Sequence, residues 1–312
     1  MAKVLMTVEE MQDRAAWLEA RKKGIGGSDA SVIVGLNKWK SPFALWMEKT
    51  GQSEPEDLSE NEYVYWGNVL EETVAKEFTK RTGKKVVRRG LLQHDTIPYL
   101  LASVDRLVVG EDAGLECKTA NGFAAKAWEG DEIPDAYYVQ CQHYMAVTGA
   151  KKWYIAALIG GNRFVWKEIA RNEDDIKALL EAEAEFWHKV ETKEMPEVDG
   201  SDDCTKALSE KFQGGGEAIE LPSVADESLA KIDELEELEG SIKEQIEAHK
   251  NFLRKLLGDA EIGTTAAGRK VTWKTQAGRT TVDSKRLKAE RPDVWEAYAK
   301  VGKPMRVLKI AG

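Results

Sequence analysis

The sequence predicts an α/β (α+β) protein with a central mixed sheet flanked by helices and a helical C-terminal extension. Short apolar segments with strand character fill 86–119 and follow a long helical pattern. A helix at 134–148 then leads into two more strands, 152–159 and 163–169, around a Gly-Gly-Asn turn. Helices before, within and after one group of strands indicate a sheet covered by helices.

Several helices are expected before the sheet, including short ones at 28–35 and 42–49, and two of them show clear end signals. The segment 7–23 is amphipathic, and Thr7 with Glu10 three residues later forms a capping-box pattern. A longer helix over 63–82 ends at Gly83, which suits a helix C-terminus.

The chain is expected to divide into three parts. Residues 1–198 form the α/β domain, 199–223 a linker with three successive glycines, and 224–312 an extension. The helix at 224–257 has apolar residues every three or four positions among acids and lysines, which predicts a solvent-laced helix or a short coiled coil. It could oligomerise or dock a partner.

Composition excludes several classes of protein. The 312 residues contain no apolar run of about 18, which excludes a transmembrane helix, and the polar start is no signal peptide. Three scattered cysteines argue against a disulfide framework or a zinc cluster, and the four histidines show no metal-ligand spacing. We therefore expect a cytosolic protein without a membrane partner.

Although the net charge is −9, the chain contains two basic segments. Six Lys and Arg residues lie within 80–89, and 268–309 holds 12 Lys/Arg against 4 Asp/Glu. Local patches set the field that a phosphate backbone meets, so the basic end could hold DNA. Ordinary solvated faces explain either cluster alone equally well.

The segment 103–119 carries the most informative chemistry. Asp105 lies on one apolar run, and Glu116, Cys117 and Lys118 lie on the next. Alternation along a strand puts Glu116 and Lys118 on one face, and a hairpin would bring Asp105 close to them. Two carboxylates beside an ammonium suit a hard cation and an activated water, although a solvated face with an ion pair has the same pattern.

Two helices can add to this group. Glu71 flanks the apolar stripe of the helix at 63–82, where a metal or an Arg partner would compensate its charge. Gln140 and Tyr144 lie four residues apart on one helix face and can bind phosphate or a catalytic Lys.

Arg21 and Ser28 flank a glycine-rich turn. A Ser at a helix start with an Arg nearby can bind a terminal phosphate. Turn formation is the simpler explanation of the glycines themselves.

The order of these motifs resembles that of the PD-(D/E)XK nuclease superfamily. More closely, the chain is similar to the phage recombination nucleases of the YqaJ/lambda-exonuclease family. The matching motifs are Trp17-x₃-Arg21-x₆-Ser28, Gly67-x₃-Glu71, Ser103-Val-Asp105, Gly114-Leu-Glu-Cys-Lys118 and Gln140-Cys-Gln142. Val104 stands where the superfamily name has Pro, and nothing after about residue 200 has a counterpart in the minimal nuclease.

The resemblance implies a Mg²⁺ site, at which Mn²⁺ would substitute. Asp105 and Glu116 would bind the metal, together with the backbone carbonyl of Cys117. Glu71 would be a further ligand or would hold a water on the metal, and Lys118 would position the attacking water.

The resemblance also implies binding of a DNA end. Arg21, Ser28, Ser103 and Gln140 match positions that bind the 5′-terminal phosphate, with Tyr144 beside Gln140. The implied activity is 5′→3′ exonuclease digestion of one strand of double-stranded DNA ends in the bacterial host cytosol. The product would be a 3′ overhang for phage-type recombination by an annealing protein, and lambda-type members act as homo-oligomeric ring trimers.

Two other functions stay open. An endonuclease could use the same metal site, because that site does not fix where cutting starts. A non-catalytic DNA-end-binding or assembly protein could use the extension as its working part. An iron–sulfur nuclease is disfavoured because three scattered cysteines cannot supply four ligands.

Overall fold

A computed structural model describes residues 2–302 and 306–310, and its contacts divide the chain into the units Met1–Gln213 and Gly214–Gly312. The helices of the first unit are α1 (Arg14–Lys22), α2 (Gly27–Ile33), α3 (Pro42–Lys49), α4 (Glu62–Thr82), α5 (Asp135–Thr148), α6 (Glu173–Thr192) and α7 (Asp202–Lys211). Its strands are β1 (Lys3–Met6), β2 (Val86–Val87), β3 (Leu91–Gln93), β4 (Leu101–Ser103), β5 (Arg106–Val108), β6 (Ala113–Ala120), β7 (Lys152–Ile159) and β8 (Arg163–Ala170).

The main sheet of the first unit is mixed, as the sequence predicts. Its strand order is β2-β5-β6-β7-β8, with β6 and β7 parallel and the other neighbours antiparallel. A smaller antiparallel sheet has the order β1-β3-β4. The predicted hairpin between the two chemistry-bearing runs is present, with Arg106 opposite Leu115 and Leu107 opposite Gly114.

Helices cover both faces of the main sheet. On one face, Phe78 of α4 packs with Leu115 of β6 and Tyr154 of β7. On the other, Cys141 of α5 packs in a core with Trp153 of β7. Because side chains alternate along a strand, each strand contributes to both layers. Alternate residues of β6 therefore face α4 and α5.

Two glycines permit close packing beside α5. A Cβ on Gly114 would lie 2.1 Å from Cζ2 of Trp153, so the indole needs a residue without a side chain there. A Cβ on Gly27 would lie 2.5 Å from Cε1 of Tyr144. Gly27 thus lets the start of α2, with Ser28, approach the face of α5 that carries Tyr144.

A fully buried ion pair connects α5 with α6 and β4. Nδ1 of His143 lies 2.7 Å from a carboxylate oxygen of Glu183, and Nε2 lies 2.8 Å from the backbone oxygen of Leu101. Burial lowers the pKa of His143, but Glu183 outweighs it and the net shift is upward. Both ring nitrogens face acceptors, an arrangement that favours the doubly protonated form of the ring.

The first predicted helix is shorter than expected. The capping box is present, because the N–H of Thr7 donates to Glu10 Oε2 over 2.7 Å and the N–H of Glu10 donates to Thr7 Oγ1 over 3.2 Å. It closes only a short 3₁₀ turn, Glu10–Gln12, and α1 starts at Arg14 after a second cap, Asp13. One continuous helix over 7–23 was therefore wrong.

The predicted linker at 199–223 contains an ordered helix. Helix α7 begins after the cap residue Ser201, and it buries Cys204 and Ala207 in a core with Trp46 of α3. The first unit accordingly extends to Gln213. The sequence of α7 is mostly polar and its two buried residues, Cys204 and Ala207, are small, so the segment has the composition of a linker. The assignment of nuclease and extension to the two units stays a prediction.

The second unit contains α8 (Val224–Leu257), the hairpin of β9 (Ile262–Thr264) and β10 (Lys270–Thr272), α9 (Ser284–Glu290) and α10 (Pro292–Tyr298). The long helix at 224–257 is confirmed. The segment 284–298 forms two helices rather than one, because Pro292 lacks an N–H and starts a new helix. Within the described residues, no helix combines the length and apolarity needed to span a bilayer.

Candidate active site

One cavity of about 440 Å³ brings together side chains from both layers of the first unit. Most of the predicted site residues line it, namely Arg21, Ser28, Glu71, Ser103, Asp105, Glu116, Gln140 and Tyr144. The other two, Cys117 and Lys118, are the neighbours of Glu116 on β6. Residues that are widely separated in sequence, from Arg21 to Tyr144, thus form one site.

Strand alternation places Glu116 and Lys118 on the α5 face of the sheet. The side chain of Glu116 is 3% exposed, and its Oε1 lies 2.6 Å from Nζ of Lys118. Nζ of Lys118 also donates to Oε1 of Gln140 over 3.0 Å and lies 4.7 Å from the ring centre of Tyr137. Lys118 is therefore held in one position by a carboxylate, an amide and an aromatic face.

Asp105 lies where β5 begins, just beyond the last paired residues of the hairpin. Its Oδ2 accepts the backbone N–H of Cys117 over 2.7 Å. In a strand the N–H and C=O of one residue point to the same edge, so the Cys117 carbonyl lies on the edge that faces Asp105. Asp105 therefore lies beside β6, as the sequence predicts.

The two carboxylates repel each other. Burial, with the charges of Glu116 and Glu71, raises the pKa of Asp105 well above its usual value. Burial opposes the charged form of Lys118, but Glu116 and Asp105 outweigh that effect and raise the pKa of Lys118. Lys118 is consequently an ammonium at neutral pH, which suits a hydrogen-bond donor better than a proton acceptor.

Glu71 has the arginine partner that the sequence left open as an alternative. The buried guanidinium of Arg106 donates to Glu71 Oε1 over 2.6 Å and to Glu72 Oε2 over 2.8 Å. Arg106 also donates to the backbone oxygen of Asp105 over 2.6 Å. A role for Glu71 at a metal stays a prediction.

The residues around Asp105 and Glu116 fit a hard divalent cation. Oε2 of Glu116 is buried and has no hydrogen-bond partner among the described residues. The raised pKa of Asp105 shows that burial and the neighbouring carboxylates disfavour its ionised form, which a bound cation would stabilise. No three His, Cys, Asp or Glu side chains converge as a metal cluster in the described part of the chain. The oxygen atoms there that could bind a cation are those of Asp105 and Glu116 and the backbone carbonyl of Cys117.

Gln140 connects the carboxylate group to the rest of the pocket. Its Nε2 donates to Glu116 Oε1 and to the hydroxyl oxygen of Tyr144, both over 2.8 Å. The Tyr144 hydroxyl then donates to the backbone oxygen of Ser103 over 3.0 Å. This chain of bonds fixes the positions of Glu116 and Lys118 from α5 and ties them to β4.

Arg21 and Ser28 adjoin in the same cavity. Nη2 of Arg21 donates to Ser28 Oγ over 2.9 Å and lies 3.6 Å from a carboxylate oxygen of Asp29. Buried Lys49 lies 2.7 Å from Asp29 and also donates to the backbone oxygen of Arg21 over 2.9 Å. Burial raises the pKa of Asp29, but Lys49 and Arg21 outweigh it and hold it below the usual range.

Sequence reasoning missed several residues of this site. Arg88 and Arg89 line the cavity, although they were noted only as part of a basic cluster, and Asn68 lines it one turn before Glu71. Arg106 and Lys49 belong to none of the sequence motifs, yet both hold residues of the site. The adjacency of Arg106 to Asp105 was a visible signal, but the acidic partners of Arg106 and Lys49 lie 35 and 20 residues away in sequence.

The fold is similar to that of a solved exonuclease. The alkaline exonuclease LHK-Exo of Laribacter hongkongensis, solved in complex with dAMP, superimposes with a TM-score of 0.51 at 23% identity. The match covers 57% of this chain and 93% of that structure.

Sequence similarity identifies a narrower family than the fold does. The model of the YqaJ-like viral recombinase domain matches residues 16–151. The protein YqaJ of Bacillus subtilis strain 168 is 43% identical over 305 residues, covering 96% of this chain and 94% of YqaJ. Protein R354 of Acanthamoeba polyphaga mimivirus is 25% identical over 44% of this chain and 27% of its own length. This chain belongs to the YqaJ-like viral recombinase family.

Replacing Asp105 by Asn should stabilise the metal-free protein. A pKa raised in the folded state means that ionised Asp105 destabilises the fold at neutral pH, so a neutral amide removes that repulsion. We expect the melting temperature in a chelator to rise by a few degrees, about 1 kcal/mol. Added Mg²⁺ should stabilise the original protein but not the Asp105→Asn variant.

Glu111 provides the contrast, because its pKa is lowered to about 2, and the hydrogen bond from Lys84 is the largest cause. Glu111→Gln should therefore lower the melting temperature in the chelator and leave the Mg²⁺ response intact. A lower melting temperature for Asp105→Asn in the chelator would contradict the electrostatic account.

Proposed function

We propose that this protein is a Mg²⁺-dependent 5′→3′ exonuclease that acts on the ends of double-stranded DNA. One observation carries the proposal: a single cavity contains both the carboxylate pair, Asp105 and Glu116, and the cationic and hydroxyl groups of Arg21 and Ser28. The first pair suits phosphodiester hydrolysis, and the second suits a terminal phosphate. The product would be a 3′ overhang for recombination by strand annealing.

The metal would be held by Asp105, Glu116 and the carbonyl of Cys117. When bound, a divalent cation supplies Lewis-acid polarisation of the phosphoryl group and compensates negative charge in the transition state. Mn²⁺ prefers the same oxygen ligands and should substitute. The salt bridge to Arg106 holds Glu71 beside this group rather than leaving it free.

Lys118 is the residue that positions the attacking water. Its ammonium is oriented by Glu116 and Gln140, so one of its three donors can point towards the cavity. A water that accepts this hydrogen bond is aligned for in-line attack on phosphorus. The positive charge also stabilises the anionic phosphorane, which is an electrostatic contribution that requires no proton transfer from Lys118.

Arg21 and Ser28 would select a DNA end over an internal position. Arg21 already has Ser28 and Asp29 as partners and lies over the ring of Trp17 at 4.9 Å, so its guanidinium is held in place before a ligand binds. Arg88 and Arg89 add positive charge to the same cavity. A 5′-phosphate in this position would place the first phosphodiester bond near Glu116 and Lys118.

The family and fold support this activity. The matched domain is described as a viral recombinase domain, and the superimposed structure is named an alkaline exonuclease. By resemblance, we propose a single-strand annealing protein as a partner and a homo-oligomer as the working form. The bacterial host cytosol is the compartment in which phage-type recombination would take place.

Lys118→Ala should abolish nucleotide release while preserving binding to linear duplex. Loss of the group that orients the water and stabilises charge lowers the rate by at least about 100-fold. Nucleotide release and a fluorescence assay of end binding measure the two effects separately. Lys177→Ala, on the exposed face of α6, removes the same charge and should leave both unchanged. Cleavage by the Lys118→Ala variant at the original rate would remove Lys118 from the mechanism.

Arg21→Ala should remove the preference for phosphorylated ends. We expect the original protein to digest 5′-phosphorylated linear duplex faster than 5′-hydroxyl duplex, with the ratio falling about 10-fold or more in the variant. Closed circular DNA should resist both proteins. Arg14→Ala changes the same helix outside this cavity and should retain the preference. Cutting of circular DNA as fast as linear DNA would instead identify an endonuclease.

A further inference from the structure

An unpaired guanidinium, that of Arg89, lines the cavity of the candidate active site. Within the described residues, three of the four arginines that line this cavity have a carboxylate partner, at N···O distances of 3.6, 3.3 and 2.6 Å, namely Arg21 with Asp29, Arg88 with Glu72 and Arg106 with Glu71. Arg89 is the fourth, and no residue in the described part of the chain gives it a hydrogen bond, an ion pair or a ring contact. Its positive charge is therefore available to a ligand.

The chain holds the backbone of Arg89 in place from both sides. On one side, Arg88 donates to Glu72 of α4 over 3.3 Å. On the other side lies Gly90, where a Cβ would come within 1.8 Å of the backbone oxygen of Met6. Glycine is therefore required where β1 approaches this segment. Arg89 thus combines a fixed backbone with a free side chain, which lowers the cost of ordering the site when a ligand binds.

Arg89 belongs to the side of the cavity that holds the carboxylate pair. Its neighbour Arg88 has the same partner, Glu72, as Arg106, the residue that follows Asp105. The pocket suited to a terminal phosphate is built instead from α1 and α2. The two cationic groups are thus carried by different elements and can engage different phosphates.

We propose that Arg89 binds a further phosphate of the DNA backbone, apart from the terminal phosphate at Arg21 and the phosphate that is cleaved. A guanidinium can bind two phosphate oxygens through parallel hydrogen bonds, and Arg89 gives up no ion pair to do so. Phosphate contacts fix the register of a protein on DNA and carry no sequence information, so Arg89 acts alike on all sequences. This inference rests on the proposed exonuclease function.

Salt-dependent binding of a 5′-phosphorylated linear duplex, measured by fluorescence anisotropy in a chelator, tests the contact. Each neutralised phosphate releases counterions, so loss of one contact lowers the slope of log affinity against log salt by about 0.9. Arg89→Ala should show that smaller slope, with binding weakened about 10-fold, for any DNA sequence. Arg89→Lys keeps the charge and should keep the original slope.

Lys85→Ala is the matched control, because it removes one charge from the same basic segment outside the cavity. Lys85 precedes β2, and its backbone oxygen accepts from Val109, at the end of β5 remote from Asp105. The control should keep the original affinity and slope. Unchanged binding by Arg89→Ala, when the original protein digests the same duplex with Mg²⁺, would overturn this inference and leave the proposed function standing. An original protein that neither binds nor digests linear duplex would overturn the proposed function and this inference together.

The preference for phosphorylated ends separates the role of Arg89 from that of Arg21. Arg89→Ala should digest 5′-phosphorylated duplex faster than 5′-hydroxyl duplex by the original ratio, because the terminal-phosphate pocket is intact. Loss of that preference would contradict the assignment of Arg89 to a further phosphate.

Binding of a 5′-phosphorylated single strand identifies the strand that carries this phosphate. If Arg89→Ala weakens binding of the single strand and the duplex equally, the phosphate belongs to the digested strand. If it weakens binding of the duplex alone, the phosphate belongs to the complementary strand. Either result supports the contact, and no weakening with either DNA would overturn it.

Discussion

The site depends on the repulsion between two carboxylates that the fold holds close together. Glu116 is almost fully buried on β6, and Asp105 is fixed beside it by the backbone N–H of Cys117. Lys118 compensates only part of their charge, and one oxygen of Glu116 is left without a partner among the described residues. Such an arrangement opposes folding, and a bound cation would relieve the repulsion. The remaining elements of the first unit act to hold it in place.

The sheet and its crossover explain how the fold maintains this arrangement. The parallel pairing of β6 with β7 requires a connection that crosses one face, and α5 provides it. That connection brings Gln140 onto the face where Glu116 and Lys118 point. On the opposite face, α4 supplies Glu71 and packs its apolar residues against the sheet. Buried Arg106 then joins α4 to the strand beside Asp105.

The sequence was sufficient for those parts of the site that follow from local pattern. Alternation along β6 predicted that Glu116 and Lys118 share a face. The order of the motifs, through the family resemblance, predicted that Arg21 belongs to the same site. Contacts between residues far apart in sequence, such as Arg106 with Glu71 and Lys49 with Asp29, could not be predicted. Many acidic residues could have paired with each cation. Helix α7 was missed because its core contacts come from small residues, Cys204 and Ala207, in a polar segment.

The most direct test of this account is a crystal structure of the protein soaked in Mn²⁺, with anomalous scattering recorded at the manganese edge. The account predicts an anomalous peak within about 2.5 Å of a carboxylate oxygen of Asp105, one of Glu116 and the carbonyl oxygen of Cys117. The Asp105→Asn variant should show a weaker peak or none. Absence of a peak in the original protein at saturating Mn²⁺, or a peak away from both carboxylates, would contradict the metal-centred site.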